Sequence, residues 1–389
     1  MERPHFPQKS APGGSSLEPS SVQRRFRVLI VRIGAMGDVL HAMPAVASLR
    51  ESHPDWFIAW AIEPQWSELL QSAEDIAQSG GFDGGSLNKP LIDAWYSVPA
   101  RRWKKQPLTA STFAEIGAIR RKLREPRFDL CVDMQGSIKS AVIGRMAGAK
   151  VFAGASEPRE EPAAWLYDKR FPLRAGHVID QGCELLGAAT GETLHPAKVA
   201  FPRNAAAERW CDAALAAISP QGERFVLMAP AAGWGAKEWP ANRFGAVAAE
   251  LSRAGFPTVI NAVSFGDVAA LRVVEASGDA ATLVPCSISQ LIALVKRAAL
   301  IIAGDTGPLH LAAALGRPAV ALFGPTDPAR NGPYDTPAIV LRHPSSQRNH
   351  KRRYSTEAGL MQISPAEVVS AALTLLKAGP EGERDKVVL

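Results

Sequence analysis

The sequence predicts an α/β protein with two domains, each holding a mostly parallel sheet covered by helices. Short apolar stretches alternate with helical patterns along the chain, which is typical of parallel sheets. Two strand-to-helix corners also carry glycine and aspartate, around 34–38 and 304–307. At 389 residues the chain exceeds the size at which one hydrophobic core usually divides, so two domains are expected.

The expected strands follow from apolar runs of strand length that end at glycine, proline or polar residues. In the first half they lie at 28–33, 57–62, 129–134 and 150–153. In the second half they lie at 224–229, 257–262, 281–284, 299–303 and 319–323. Further helices are expected at 205–217, 308–315 and 365–378. Because ligands of parallel α/β sheets bind at the carboxyl ends of strands, the corners there are the candidate sites.

Composition marks the domain boundaries. Residues 1–24 are rich in proline, serine and glycine without an apolar signal core, and we expect a disordered tail. A proline-rich stretch near 195–222 separates the two halves, so we expect domains at 25–200 and 201–360. A final amphipathic helix lies within 361–380. No apolar run approaches the roughly 18 residues needed to span a bilayer.

The net charge and the cysteine spacing limit which partners and which kinds of site can be expected. The formal charge is only +6, which by itself does not indicate a nucleic-acid partner. Basic clusters at 101–105 and 348–353 favour anionic partners or a charged membrane surface, whereas 120–124 is read as a solvated helix face. The four cysteines are widely spaced, so neither a disulfide framework nor a zinc site is expected, and this fits a reducing compartment.

The corner after the strand 300–303 is the most informative segment. It reads Gly304-Asp305-Thr306-Gly307, and Pro308 suits the first turn of the helix that follows. A helix N-terminus after a strand offers unpaired N–H groups and a partial positive charge to a phosphate. The alternative is an ordinary corner in which Asp305 and Thr306 only cap the helix.

A second corner follows the strand 28–33, where Gly34 and Gly37 allow a tight turn and Asp38 stands at the start of the next helix. The spacing lacks the complete dinucleotide fingerprint, so no nicotinamide site is expected. Asp38 is either a functional carboxylate or a plain helix cap.

In the third corner, after the strand 224–229, Lys237 stands in a loop of small residues and offers a charge to a diphosphate. Its alternative is an exposed loop lysine.

Four segments together resemble the ADP-heptose:lipopolysaccharide heptosyltransferases, glycosyltransferase family 9. They are Gly34-Ala35-Met36-Gly37-Asp38-Val39-Leu40-His41, Asp133-Met134-Gln135-Gly136-Ser137-Ile138-Lys139-Ser140, Lys237-Glu238-Trp239-Pro240 and Gly304-Asp305-Thr306-Gly307-Pro308-Leu309-His310. The likeness extends over about 26–378, and segments near 98–105 and 161–170 look more like the type I enzymes. The chain departs from the family at 342–360, which lacks a cysteine, and at Asp267, where relatives often have glutamate near the donor base.

The resemblance implies a GT-B fold, in which two Rossmann-like domains face each other across a cleft, with the final helix crossing back to the first domain. It implies an inverting, metal-independent transfer without a cofactor, and Asp38 as the base that accepts the acceptor's proton. The donor side would bind ADP-heptose, through Lys237, Asp305, Thr306, Gly307, His310 and Asp267. Asp305 is expected to hold sugar hydroxyls, and His310 to orient the loop or to serve only in the core.

The implied acceptor is the Kdo of lipopolysaccharide inner core, Kdo-lipid A, whose carboxylates and phosphates suit a basic loop. The candidates are Arg101, Arg102, Lys104, Lys105, Lys139, Arg159 and Arg170. We expect a cytoplasmic protein in peripheral contact with the inner membrane. Two alternatives stay open: a transferase of the same fold with another heptose acceptor or sugar nucleotide, such as a type II enzyme, and a non-catalytic nucleotide-binding module of envelope assembly.

Overall fold

The computed structural model describes residues 24–70, 90–349 and 355–378. The expected disordered tail therefore lies outside the described residues, apart from Arg24. Residues 350–353 of the basic cluster at 348–353 lie outside them as well.

The described residues form two six-stranded sheets, and every pairing within them is parallel. The first sheet has the order β3-β2-β1-β4-β5-β6. Its strands are β1 (Arg27–Val31), β2 (Phe57–Ile62), β3 (Ala94–Ser97), β4 (Leu130–Asp133), β5 (Val151–Ala155) and β6 (Lys169–Phe171). The second has the order β12-β11-β10-β7-β8-β9. Its strands are β7 (Val226–Ala229), β8 (Thr258–Ala262), β9 (Ala281–Pro285), β10 (Leu300–Gly304), β11 (Ala319–Phe323) and β12 (Ala338–Arg342).

Helices connect the strands on both faces of the sheets. In the first half they are α1 (Met36–Ser52), α2 (Ala100–Lys105), α3 (Ala110–Arg124), α4 (Ile138–Met146) and α5 (Val178–Thr190). In the second half they are α6 (Ala205–Ile218), α7 (Ala241–Arg253), α8 (Val268–Ala276), α9 (Ile288–Arg297), α10 (Gly307–Ala314), α11 (Pro328–Asn331) and α12 (Pro365–Ala378).

All nine predicted strands are present, with ends that differ by at most two residues. The sequence did not predict β3, β6 and β12. None of these three strands contains a fully buried residue, and each is an edge strand of its sheet. An edge strand buries fewer apolar residues than a central one, so the periodic signal that reveals the central strands is weak there.

The final helix packs on the second sheet. The buried residues Val368, Ala372 and Leu376 belong to the same apolar core as β7 and β10, and α12 packs against α7. The expectation that this helix crosses back to cover the first domain was therefore wrong, because its apolar stripe is matched by the outer face of the second sheet. Within the described residues, no helix is long and apolar enough to span a membrane.

Candidate active site

Helices α1 and α10, one from each half of the chain, meet at their N-termini. Gly37 lies against the ring of His310, where an added Cβ would be 2.4 Å from Cδ2. In the same way, Gly307 lies against Met36, where an added Cβ would be 2.5 Å from Sδ. Because neither glycine carries a side chain, the corner with Asp38 and the corner with Asp305 come into direct contact.

Asp38 stands at the third position of α1. Its Oδ2 accepts a hydrogen bond from the backbone N–H of Ala35 (3.0 Å), and its Oδ1 pairs with the guanidinium of Arg32 (2.9 Å). The interpretation of Asp38 as a helix cap is thus confirmed, since its carboxylate accepts a hydrogen bond from the backbone at the start of α1. Its side chain remains 37% exposed, so a hydroxyl group entering the cleft can still reach it.

Lys237, Asp305 and His310 form one hydrogen-bonded group at the carboxyl ends of β7 and β10. The ammonium of Lys237 lies 2.5 Å from Oδ2 of Asp305, and Nε2 of His310 lies 3.0 Å from Oδ1. Both carboxylate oxygens therefore have protein partners, and the Asp305 side chain is only 6% exposed. In this arrangement Asp305 orients Lys237 and His310, which differs from the expectation that it holds sugar hydroxyls directly.

The charge of Asp305 is stabilised by these partners. Burial alone would raise the pKa of the carboxyl, but the hydrogen bond and charge of His310 and the charge of Lys237 outweigh burial. The pKa of Asp305 is held below its usual range. Lys237 is 18% exposed, so its ammonium can still meet a diphosphate that enters from the cleft.

Thr306 is the N-cap residue of α10, yet its side chain does not cap the helix. Its hydroxyl donates instead to the carbonyl of Gly304 (3.2 Å). The first turn of α10 thus has no side-chain acceptor for its N–H groups, which is the arrangement that an anion can complete.

Asp267 is the N-cap of α8. Its Oδ1 accepts from the backbone N–H groups of Ala269 (3.2 Å) and Ala270 (3.3 Å). The structure accounts for this aspartate as a helix cap that uses Oδ1.

The predicted basic loop 101–105 is a short helix, α2, so the expectation of a loop was wrong. We call Arg101, Arg102, Lys104 and Lys105 the α2 basic group; all four are exposed. Arg101 bonds buried Glu63, whose Oε1 accepts from its backbone N–H (2.8 Å), and Arg102 pairs with Glu115 (2.6 Å). Glu63 fixes the start of α2 to the end of β2, next to the Asp38 corner, and Glu115 joins α2 to α3.

Lys139 and Arg159 are exposed and follow the carboxyl ends of β4 and β5. They therefore lie at the same end of the strands as the α2 basic group. The carbonyl of Gly136 accepts from the backbone N–H of Glu160 (2.9 Å), which joins the two loops that carry them. Arg170 lies within β6, where it pairs with Gly154 at the far side of the sheet. The structure therefore brings Lys139 and Arg159 together and leaves Arg170 apart from them.

Buried Asp133 organises the loop before Lys139. Its carboxylate accepts from the N–H groups of Gln135 and Gly136 and from the hydroxyls of Ser140 and Tyr167 (2.8–3.1 Å). Burial raises the pKa of this carboxyl in spite of these four bonds. Four donors around one buried acceptor are a structural support for the loop.

Among the described residues, no group of three or more histidines, cysteines or acidic residues is placed to hold a metal ion.

Polar contacts hold the two halves of the chain together. Glu68 accepts from the backbone N–H of Ser289 (2.8 Å) at the start of α9, and Tyr334 donates to Asp180 (2.7 Å). These bonds flank the junction of α1 and α10.

The domain of glycosyltransferase family 9 (heptosyltransferase) matches residues 116–361, more than half of the chain. The chain belongs to glycosyltransferase family 9. The family match includes Lys237, Asp305 and His310, and it begins after Asp38.

Curated relatives of this family 9 chain cover most of its length. A protein from Pseudomonas aeruginosa named lipopolysaccharide heptosyltransferase 1 is 27% identical over 81% of this chain and 83% of its own. The Escherichia coli protein of the same name is 26% identical over 87% of this chain and 99% of its own. The E. coli lipopolysaccharide heptosyltransferase 2 is also 26% identical, over 90% of this chain and 98% of its own.

Solved structures show the same GT-B fold. The structure titled E. coli heptosyltransferase WaaC with ADP has a TM-score of 0.70 at 23% identity, and it covers 90% of this chain and 100% of that chain. The structure titled E. coli ADP-heptose lps heptosyltransferase II has a TM-score of 0.69 at 19% identity, covering 90% and 99%. The expected fold class, two Rossmann-like domains in a GT-B arrangement, is thus confirmed.

Sequence reasoning missed two buried polar residues of this family 9 site. His41 lies in one of the quoted motifs without a role assigned to it, and Glu63, which bonds Arg101, was not noticed at all. A polar residue within an apolar helical stripe is a weak signal for His41. No signal in the sequence pointed to Glu63, because its partner is 38 residues away.

Proposed function

We propose that this family 9 glycosyltransferase moves L-glycero-D-manno-heptose from ADP-heptose to the Kdo of Kdo-lipid A, with inversion at the anomeric carbon. The observation that carries the proposal is the junction of α1 and α10, which brings the corner with the exposed Asp38 carboxylate against the corner that holds buried Asp305 and His310 and half-buried Lys237. The names of the relatives, lipopolysaccharide heptosyltransferase 1, support the acceptor. Structures titled with ADP and ADP-2-deoxy-2-fluoro heptose support the donor.

In this proposal residues 201–360 bind the donor. The diphosphate of ADP gains negative charge as the bond to the sugar breaks, and hydrogen-bond donors that meet this charge stabilise the transition state. Lys237 supplies an ammonium, and Gly307 and the first turn of α10 supply N–H donors. The hydroxyl of Thr306 joins them once it turns from the carbonyl of Gly304 to the diphosphate. Asp305 and His310 hold Lys237 and the 304–307 corner in place. Asp267 contacts the nucleoside through Oδ2, the carboxylate oxygen that does not cap α8.

Residues 25–200 bind the acceptor. The acceptor hydroxyl attacks the anomeric carbon from the side opposite to ADP, so the configuration inverts in one displacement. Asp38 accepts the proton of that hydroxyl as the bond forms, which is general-base catalysis. Arg32 and the N–H of Ala35 hold the carboxylate in one orientation, and the side opposite these partners is free for the substrate.

The acceptor's carboxylates and phosphates are expected to meet the α2 basic group, Lys139 and Arg159, with Arg170 farther out. Exposed Leu108, three residues after α2, and exposed Phe113, on α3, add apolar surface in the segment that follows these charges. This combination favours peripheral contact with an anionic lipid surface, since each basic residue near such a surface contributes about 1 kcal/mol. We propose that the protein works at the cytoplasmic face of the inner membrane.

A second acceptor is supported by the equal identity to heptosyltransferase 2. The deciding experiment incubates the purified protein with ADP-heptose and either Kdo-lipid A or the same acceptor already carrying one heptose. A mass increase of one heptose on Kdo-lipid A supports the proposal, whereas an increase only on the second acceptor assigns the type II reaction. No transfer to either, with ADP still bound, would favour a non-catalytic nucleotide-binding module.

The base is tested with Asp38→Asn. The variant is expected to lose about 10²–10⁴-fold in turnover, the usual contribution of a general base, with ADP affinity unchanged. The matched control is Asp279→Asn, an exposed turn residue with φ of 61°, a conformation that asparagine tolerates. If Asp38→Asn keeps more than half of the wild-type turnover, Asp38 is not the base.

A further inference from the structure

A line of buried polar groups crosses the junction between the two halves of the chain. Nε2 of His41, on α1, lies 3.1 Å from Nδ1 of His310, on α10. His310 bonds Asp305, and Asp305 bonds Lys237. His41 and His310 are only 9% and 6% exposed. Three consecutive bonds therefore connect the helix that carries Asp38 with the lysine of the proposed donor site.

Chemistry allows one proton for each bond. An ionised carboxylate only accepts, so Nε2–H of His310 donates to Asp305. Between the two histidines, either Nδ1–H of His310 donates to Nε2 of His41 or Nε2–H of His41 donates to Nδ1 of His310. Each bond thus has one donor and one acceptor, and no polar atom in the line competes with its neighbour.

The surroundings keep His41 neutral. Burial, followed by His310, His177 and Arg32, holds the pKa of His41 well below its ordinary value, and Asp305 opposes them only weakly. His177 faces His41 with ring centroids 6.0 Å apart, and burial lowers the pKa of its imidazole as well. A second proton on His41 would therefore face cationic or neutral groups on three sides.

From this geometry we propose that His41 is a positioning residue for glycosyl transfer. It sits three residues after Asp38, on the same face of α1, and its bond to His310 fixes that face against the donor corner. The bond sets the separation between the proposed base and the sugar held beside Lys237. This role rests on the proposed function, and it acts on alignment and not on donor affinity, because Lys237, Asp305 and His310 keep their own bonds without His41.

Three variants test the role. His41→Phe keeps a planar ring and removes the hydrogen-bonding nitrogen, whereas His41→Gln keeps an amide that can donate or accept at a reach similar to that of Nε2. The matched control is His53→Phe near the other end of α1, where His53 stacks on Trp56 outside the junction (ring centroids 3.7 Å). Turnover, the KM for ADP-heptose, ADP affinity by calorimetry and the melting temperature are measured for each.

We expect His41→Phe to lower kcat about 10- to 100-fold, the scale of a misalignment of about 1 Å, with ADP affinity within about threefold of wild type. His41→Gln and His53→Phe should keep kcat within about threefold. A kcat for His41→Phe within twofold of wild type would overturn the proposal. So would equal losses in both His41 variants that follow their melting temperatures, since these indicate a purely structural residue.

A second measurement does not depend on the reaction. Long-range ¹H–¹⁵N spectra of the imidazoles are expected to show Nε2 of His310 protonated and His41 neutral at pH 7, with the pKa of His41 below its ordinary value. A His310 without a proton on Nε2, or a His41 that titrates at its ordinary pKa, refutes the hydrogen-bond line even if His41→Phe is unfolded. Wild-type protein that transfers no heptose refutes the proposed function instead, and the spectra still decide the line.

Discussion

Replacing Gly37 with alanine tests how closely the two halves must approach. The new Cβ would lie 2.4 Å from Cδ2 of His310, about 1 Å short of ordinary contact, which begins at 3.4 Å. His310 cannot easily give way, because its two nitrogens are bonded to Asp305 and His41. The helices α1 and α10 must therefore separate, or the His310 bonds must break.

The size of the effect follows from this overlap. Overpacking of a buried contact costs about 1–3 kcal/mol of unfolding free energy. A shift of about 1 Å between reacting groups lowers the rate by about 100-fold. Gly37→Ala is therefore expected to lower kcat by one to two orders of magnitude, although alanine by itself favours a helix by about 1 kcal/mol relative to glycine. Turnover with ADP-heptose and Kdo-lipid A and urea unfolding measure both quantities.

Two other glycines complete the comparison. Gly307→Ala repeats the test from the other side of the junction: its Cβ would lie 2.5 Å from Sδ of Met36 and also 2.9 Å from Cβ of Met36, which the backbone holds, so a comparable loss of activity is expected. Gly117→Ala, on exposed helix α3 with no atom within 4 Å, should keep full activity and gain stability. If Gly37→Ala retains wild-type kcat, the close approach of the helices does not matter for transfer and the reasoning is wrong.

Other expectations concern the donor, the acceptor and pH. Lys237→Ala should weaken ADP binding by about 1.5–3 kcal/mol, the value of a charged hydrogen bond, and unchanged affinity in calorimetry would remove Lys237 from the site. Changing the four residues of the α2 basic group to serine should raise the KM for Kdo-lipid A far more than the KM for ADP-heptose. If only the KM for ADP-heptose changes, α2 does not bind the acceptor. The unfolding free energy should fall as pH drops from about 7 to 5, because the lowered pKa values of His41 and His177 let the unfolded chain bind more protons. Urea titrations at pH 7.5 and 5.5 should show this loss, and His41→Phe should lose less than wild type; equal stability at both pH values would contradict it.

Local patterns in the sequence determined the fold class and the central strands. Apolar runs with glycine or proline at their ends depend on residues next to each other, so β1, β4, β7 and β10 are visible without any knowledge of packing. The same patterns placed Asp38, Lys237 and the 304–307 corner at strand ends, where parallel sheets bind their ligands. Family membership then followed from the motifs at these corners.

Only the tertiary structure decided which of these residues meet. Lys237 and Asp305 are 68 residues apart and His41 and His310 are 269 apart, so no sequence pattern encodes their bonds. The approach of the Lys237 loop to the corner after β10 gave Asp305, an expected sugar ligand, two protein partners, and packing of α12 on the second sheet reversed the expected crossing. These outcomes depend on contacts between segments that are distant in the sequence, because burial and hydrogen bonding there are set by the shapes of both surfaces. The sequence by itself therefore determined the elements and the chemistry at their ends, and the contact between the halves decided how that chemistry is assembled.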